Sequence, residues 1–367
     1  MEITLEITDL ARSGPGVGRD ASGRVIFVPF TAPGDRVRVE IVMEDKRYAE
    51  GRVLELLESS RERAVPPCPV FGRCGGCEWQ HLPYERQWSA KKSGVQHALK
   101  RVEIPTDGLP WDDFPADRVW EYRNRVQLRG FRDELGFYAR GSNQVVGIEK
   151  CYIARPELNA EIPRVRAEGA SRPREYKVEL EVFPSGEVTT SWNRGHSAMG
   201  FRQVHDEQNE KLRAWVAAHA GAGGTLLDLY GGSGNLSRGV AESFERVHCV
   251  DVGAPPQRPA EAPANLDFHR FEVLAWLQRE KSRLGTGPFR VILDPPREGL
   301  GPELVPIVEI LKNLRVEETL LIGCEADPWA RALARFLRHG WTLERVGALD
   351  FFPQTHHVEA LAVLRRR

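Results

Sequence analysis

Three cysteines fall within the ten residues of "CPVFGRCGGC" (68–77). Three other side chains able to do covalent or acid–base chemistry stand in separate apolar stretches much later in the chain. These are Asp294 in "VILDPPREGL", Cys324 in "LLIGCEADP" and Glu359 in "FFPQTHHVEALAVL". The spacing C-x5-C-x2-C suits a metal, but tetrahedral zinc needs a fourth ligand. His81 lies close by and would complete a Cys3His zinc site. Cys151 in "EKCYIA" is the other choice, because Cys249 and Cys324 fall among the strands of the C-terminal third. The second group suggests a thiolate nucleophile, a carboxylate that moves a proton and a second carboxylate that orients a substrate.

Each of these residues alone has a plain structural reading. A cysteine at a strand end is commonly a small core residue, a glutamate opening a strand is commonly solvated, and Asp-Pro-Pro is a common turn. Their shared setting is less ordinary. From about residue 205 apolar strands ("TLLDLY", "RVHCVDV", "FRVILDPP", "ETLLIGCEA") alternate with helical patterns such as "NEKLRAWVAAHA" and "LSRGVAESF". That alternation predicts a Rossmann-like α/β domain with a mainly parallel sheet, whose ligands sit at the carboxyl ends of its strands.

"LLDLYGGSGNLSRGVA" (226–241) brings an acid to the end of a strand and follows it with a glycine turn; Asp251 ends the next strand. Two acids at successive strand ends fit the hydroxyls of a nucleoside. The absence of G-x-G-x-x-G favours S-adenosylmethionine (SAM) over a dinucleotide. With that donor, a cysteine, an aspartate and a glutamate suit methylation of uracil at carbon 5, a poor nucleophile. A thiolate added at carbon 6 makes the ring an enolate able to take the methyl group, and a carboxylate then removes the carbon-5 proton.

Upstream, residues 1–58 read as short strands broken by glycine turns, predicting a small β-barrel. Residues 59–195 hold the cysteines, a predicted helix at "YERQWSAKKSGVQHALKR" and a strand-rich stretch. Between 118 and 140 six arginines face three acids, with Trp120, Tyr122, Phe131, Phe137 and Tyr138 interleaved. That mixture suits phosphate contact and base stacking, and equally a solvated sheet face. Residues 196–367 form the α/β domain. The segment 253–265, "GAPPQRPAEAPAN", is too rich in proline for a helix.

The chain has 367 residues, 28% of them charged, a net charge of −1 and six cysteines. No apolar run reaches the roughly 20 residues of a membrane helix, and Met1 leads straight into the alternating "EITLEI". A cytoplasmic protein without a leader or obligate protein partner is therefore expected, its cysteines serving metal or catalysis before disulfides.

In "GPGVGRDASGRVIFVPFTAPGDRVRV" and "KRYAEGRVLELLESS" the N-terminal segment resembles a TRAM domain, an OB-like barrel that binds RNA. Through "CGGC", "DLYGGSGN", "DPPREGL", Cys324 and "FPQTHHVEALAVL", nearly the whole chain resembles the RNA uracil-5-methyltransferase family, in its TRAM-bearing, iron–sulfur branch. The resemblance implies Cys324 as nucleophile and Glu359 as base. It places Asp294 against substrate and donor, Phe201 and Gln203 (in "GFRQVHDEQN") along the joint site, and Tyr230, Asn235, Asp251 and Glu272 on the donor. It also implies a [4Fe–4S] cluster on Cys68, Cys74, Cys77 and Cys151, and an RNA substrate, 23S rRNA before tRNA, whose uracil flips out of its stack. The sequence departs from the family at "DLYGGSGN", at "GCEADP" and at 253–265, where a helix normally flanks the donor's adenosine. A non-catalytic RNA-binding or ribosome-assembly factor is the rival from another class, and methylation of cytosine the enzymatic rival.

Overall fold

The structure, a computed structural model, describes residues 1–194, 202–285 and 287–366. It comprises two compact bodies, neither continuous in sequence. The first holds residues 1–91, 117–196 and 352–357, and the second holds 92–116, 197–351 and 358–367.

In the first body the alternating N-terminal sequence becomes five strands, β1 (Glu2–Leu10), β2 (Gly16–Arg19), β3 (Val25–Val28), β4 (Arg36–Glu44) and β5 (Tyr48–Glu58). They close into a barrel in the order β1-β2-β3-β5-β4. Side chains alternate across a strand, so Leu5, Ile7, Ile26, Val37 and Val39 point inward and form the barrel core. Beyond the cysteines runs α1 (Tyr84–Arg101), the helix expected there, within which the chain crosses to the second body.

After a short strand, β6 (Trp111–Phe114), the chain returns to the first body and forms an antiparallel sheet ordered β11-β10-β7-β8-β9. Its strands are β7 (Arg125–Phe131), β8 (Glu134–Tyr138), β9 (Val145–Gly147), β10 (Tyr176–Val182) and β11 (Val188–Trp192). One helix, α2 (Pro156–Ala170), packs on it through Leu158, Ile162 and Val165. The sequence reading missed α2: its apolar residues recur at helical spacing, but Pro163 inside the helix hid the pattern. Two residues of the arginine–aromatic mixture are also not surface groups. Tyr122 is buried, its hydroxyl donating to the Pro353 carbonyl at 3.1 Å. Arg125 is buried against Glu181, with 2.8 Å between Nη2 and Oε1. Phe131 is exposed.

The second body is built on an eight-stranded sheet ordered β14-β13-β12-β15-β16-β18-β17-β6. It contains β12 (Thr225–Leu229), β13 (Arg246–Val250), β14 (Leu266–His269), β15 (Phe289–Leu293), β16 (Val316–Gly323), β17 (Trp341–Leu349) and β18 (Glu359–Arg366). From β14 to β16 every pairing is parallel, and β18 runs antiparallel between β16 and β17. Helices α3 (Asp206–His219), α4 (Val273–Glu280), α5 (Leu304–Asn313) and α6 (Ala326–Arg338) connect the strands and bury one face each, as with Trp329, Leu333 and Phe336 of α6. The helix expected at "LSRGVAESF" is only a single 3-10 stretch, Arg238–Ser243. Turns occupy residues 232–237, with left-handed backbone at Gly232 and Gly234, so the helical stretch begins only at Arg238. Residues 253–265 are helix-free, as the prolines require. Among the described residues no helix is long and apolar enough to cross a membrane.

The buried Arg125–Glu181 pair joins adjacent strands of the central sheet. Replacing Glu181 alone with leucine strands a guanidinium away from water and is expected to cost about 3–5 kcal/mol in urea unfolding. The double replacement Arg125→Met, Glu181→Leu should recover most of that loss. Equal losses from the single and double variants would contradict this account of the pair.

Candidate active site

Crossovers leave β12 toward β13 on one side, and β15 lies on the other, so the chain order reverses beside β12. This is where open α/β sheets bind ligands, outside the carboxyl ends of the strands. Tyr230, Asp251 and Asp294 each immediately follow one of these three adjacent parallel strands, and Asp228 lies one residue before the end of β12.

Asp228 is fully buried. Its Oδ2 accepts the Ser237 hydroxyl at 2.5 Å, and its Oδ1 has no hydrogen-bond partner among the described residues. Gly231 is needed beside it, because a Cβ there would stand 2.5 Å from the Asp228 carboxylate. Tyr230 adopts a left-handed backbone (φ 64°) and donates its hydroxyl to Glu303 Oε2 at 3.0 Å. Asp251 accepts the amide of Gly232 at 3.2 Å and that of Gly253 at 2.5 Å. The side chains of Asn235 and Asn209 exchange hydrogen bonds of 3.0 and 2.7 Å, which fix Asn235 against α3. Glu272 precedes α4 and is near enough for its charge, after burial and Glu303, to help hold the Tyr230 phenol protonated. Gln203 is buried just ahead of α3. Phe201 lies outside the described residues. The proline-rich segment folds on itself, the Arg258 guanidinium donating to the carbonyls of Ala262 and Ala264 at 2.9 and 3.1 Å.

The acids of this edge repel one another. Burial pushes Asp228 up to about 6 against the lowering effect of its hydrogen bond from Ser237, and the Asp251 charge adds the smallest part. Burial, Asp228 and Asp251 push Asp294 up to about 7. A site of this kind stores unfavourable negative charge and favours a cation.

Cys324 and Glu359 come together through the sheet register. Gly323 of β16 pairs with Ala360 of β18, so the next position on each strand brings Cys324 level with Glu359. Glu359 is buried, and its Oε2 lacks a hydrogen-bond partner among the described residues. Burial and the neighbouring Asp294 raise its carboxyl well above the ordinary range. Burial and the charge of Glu359 likewise push the Cys324 thiol up to about 12. Arg297 opposes both shifts, and it lines the same small hollow as Cys324, Pro295 and Pro296. The sequence reading passed over Arg297, although it directly follows Asp-Pro-Pro. It also passed over Ser237, Asn209 and Glu303, whose roles depend on contacts that no local pattern reveals.

In the first body, Cys68, Cys74, Cys77 and Cys151 all line one cavity of about 290 Å³ beside Phe71, Phe137 and Ile148. Burial, with a smaller contribution from neighbouring thiolates, pushes Cys74 up to about 11 and Cys77 up to about 12. Among the described residues no three His, Cys, Asp or Glu side chains converge closely enough to hold a single metal ion. His81 does not line the cavity; its Nε2 lies 3.1 Å from the Thr31 carbonyl.

Residues 1–54 match the TRAM domain. Over 99% of its length the chain is 31% identical to an uncharacterised RNA methyltransferase of Bdellovibrio bacteriovorus, covering 95% of that relative. It is 28% identical to the 23S rRNA (uracil(1939)-C(5))-methyltransferase of Shewanella amazonensis, covering 99% of this chain and 95% of that one. In structure it is similar to the tRNA (uracil-54, C5)-methyltransferase of Pyrococcus abyssi, solved with S-adenosyl-L-homocysteine. The TM-score is 0.71 at 21% identity, covering 98% of this chain and 99% of that one, which shows a common fold. With a relative this similar along nearly its whole length, the chain belongs to the RNA methyltransferase family.

Proposed function

We propose that this protein transfers a methyl group from SAM to carbon 5 of a uridine in RNA, 23S rRNA before tRNA, in the cytoplasm. The observation that carries the proposal is the convergence of Cys324, Glu359 and Asp294 at a strand edge crowded with carboxylates. A dinucleotide would bring a doubly charged pyrophosphate to that edge, whereas SAM, with a sulfonium, an ammonium and one carboxylate, brings a net positive charge. The crowding therefore favours SAM. Tyr230, Asn235, Asp251, Glu272 and Gln203 are the proposed donor contacts, and Phe201 and Asp294 the proposed uracil contacts.

In the proposed reaction the Cys324 sulfur bonds to carbon 6, and the ring electrons move to the carbon-4 oxygen. Arg297 and the incoming donor's positive charge both favour the thiolate over the thiol. Carbon 5 then takes the methyl group while the sulfonium–methyl bond breaks, leaving S-adenosylhomocysteine. Glu359 removes the carbon-5 proton, the carbon 5–carbon 6 double bond reforms, and the Cys324 sulfur leaves. The high proton affinity of the buried Glu359 carboxyl suits it to this task.

The barrel (1–58) and the central segment (59–195) are the proposed RNA-holding parts, and 196–367 the catalytic part. The four cysteines around one cavity fit a [4Fe–4S] cluster, which spreads its thiolate ligands farther apart than a single ion does. Bound there, the cluster supplies crosslinking between residues 68–77 and residue 151, and the methyl transfer needs no electron from it.

Labelled SAM and unmodified ribosomal RNA provide the test. Wild type should produce 5-methyluridine, and Cys324→Ala should lose it entirely. Equal transfer by both proteins would discard the covalent mechanism, methylcytosine as product would discard the uracil assignment, and absence of both SAM binding and transfer would favour the assembly-factor reading. Protein purified without oxygen should carry about four irons per chain, lost in Cys151→Ser. Stoichiometric zinc without iron would contradict the cluster.

A further inference from the structure

The cysteine cavity of the first body is fixed to the central sheet from two directions. Gly75 donates its amide to the Tyr138 carbonyl at 2.9 Å, which holds the 68–77 segment at the end of β8. Asn159 of α2 holds the other side. Cys151 donates its amide to Asn159 Oδ1 at 2.8 Å, and Asn159 Nδ2 donates to the Cys151 carbonyl at 3.0 Å. Strand β7 pairs with β8 only from Arg129 to Phe131, so its first half has no strand partner on that side among the described residues. Val126 and Gln127 of that half line the cavity.

Several N–H groups around the cavity already meet a cysteine sulfur. The Gly76 amide donates to Cys74 Sγ at 3.4 Å. Burial raises the Cys77 and Cys151 thiols, and hydrogen bonds oppose that rise, from the Gln80 side chain on Cys77 and from the Ile153 and Ala154 amides on Cys151. Gln127 differs. Its Oε1 accepts Arg129 Nη2 at 3.0 Å. A guanidinium can only donate, so the oxygen must be the atom that meets Arg129, and the orientation of the amide is settled by that bond. The Nε2 is buried and has no hydrogen-bond partner among the described residues, no cysteine sulfur included. A buried donor left unbonded is unfavourable and calls for an acceptor. That acceptor belongs to what fills the cavity. A single metal ion brings none, whereas a [4Fe–4S] cluster brings inorganic sulfide.

We propose that the Gln127 side-chain amide donates to a sulfide of the cluster bound by Cys68, Cys74, Cys77 and Cys151, and so helps set its reduction potential. The proposal rests on the cluster reading of this cavity. A reduced cluster carries more negative charge on its sulfurs, so a donor there stabilises the reduced state and raises the potential. Arg129 acts through Gln127, as the group that fixes which way the amide faces. Methyl transfer needs no electron, so the potential reports this bond independently of the reaction.

Full-length wild type, Gln127→Met and Gln127→Leu are to be purified without oxygen. Their iron, sulfide and zinc contents are measured, and the cluster potential is determined by spectroelectrochemical titration. Neither replacement can donate a hydrogen bond. All three proteins should carry about four irons. Each variant should favour the oxidised state about tenfold more than wild type, a fall of about 59 mV for one electron. A potential equal to that of wild type would overturn the proposal. Loss of iron by both variants would do the same, because it marks a structural role in place of a bond to sulfide. Where only one variant takes up iron, its potential decides. Wild type holding zinc without iron removes the cluster reading itself, and the proposal falls with it.

Discussion

The site is organised by the burial of acids beside one another. Asp228, Asp251 and Asp294 stand at the carboxyl edge of three adjacent parallel strands, and Asp294 also faces Glu359. The parallel pairing brings these edges together, so the crowding follows from the topology. Burial and neighbouring charge raise Asp228, Asp294 and Glu359 above ordinary carboxyls. The Arg297 cation acts on both Cys324 and Glu359. A donor bearing positive charge relieves this strain and favours ionisation of the same thiol and carboxyl that the proposed reaction uses. In the proposed reaction, preference for a cationic donor and activation of Cys324 and Glu359 would share one electrostatic cause.

Much of this was legible in the sequence because it depends on local pattern. Strand–helix alternation announced the sheet, glycines marked the turn after Leu229, and acids at the ends of apolar runs marked its working edge. The meeting of Cys324 with Glu359 was not legible from spacing, since it requires β18 to insert antiparallel between β16 and β17. The resemblance pointed to the pair, and the register accounts for it. Contacts made at long range were missed for the same reason: Ser237 on Asp228, Glu303 on Tyr230 and Asn209 on Asn235.

Composition misled where one residue type serves two purposes. The arginines and aromatics of 118–140 read as phosphate and base contacts or, equally, as a solvated sheet face, yet Arg125 is spent on a buried pair and Tyr122 on the carbonyl of Pro353. Phe131 is exposed on the same sheet, and the barrel matched to the TRAM domain belongs to the same body. Pro163 within α2 is the converse case, a residue that breaks helices in general but is accommodated inside this one.

Calorimetric titration with SAM, repeated across pH and in buffers of different ionisation heat, tests the electrostatic account most directly. A carboxyl raised in the free protein holds its proton below its pKa, and a bound cation lowers that pKa, so binding must expel protons. With Asp228 at about 6 and Asp294 at about 7, affinity should rise from about pH 5 to about pH 8 and level off above. The heat should also change with buffer in proportion to protons released. Affinity flat across that range with no buffer dependence, or equally tight binding of a pyrophosphate-bearing dinucleotide, would contradict it.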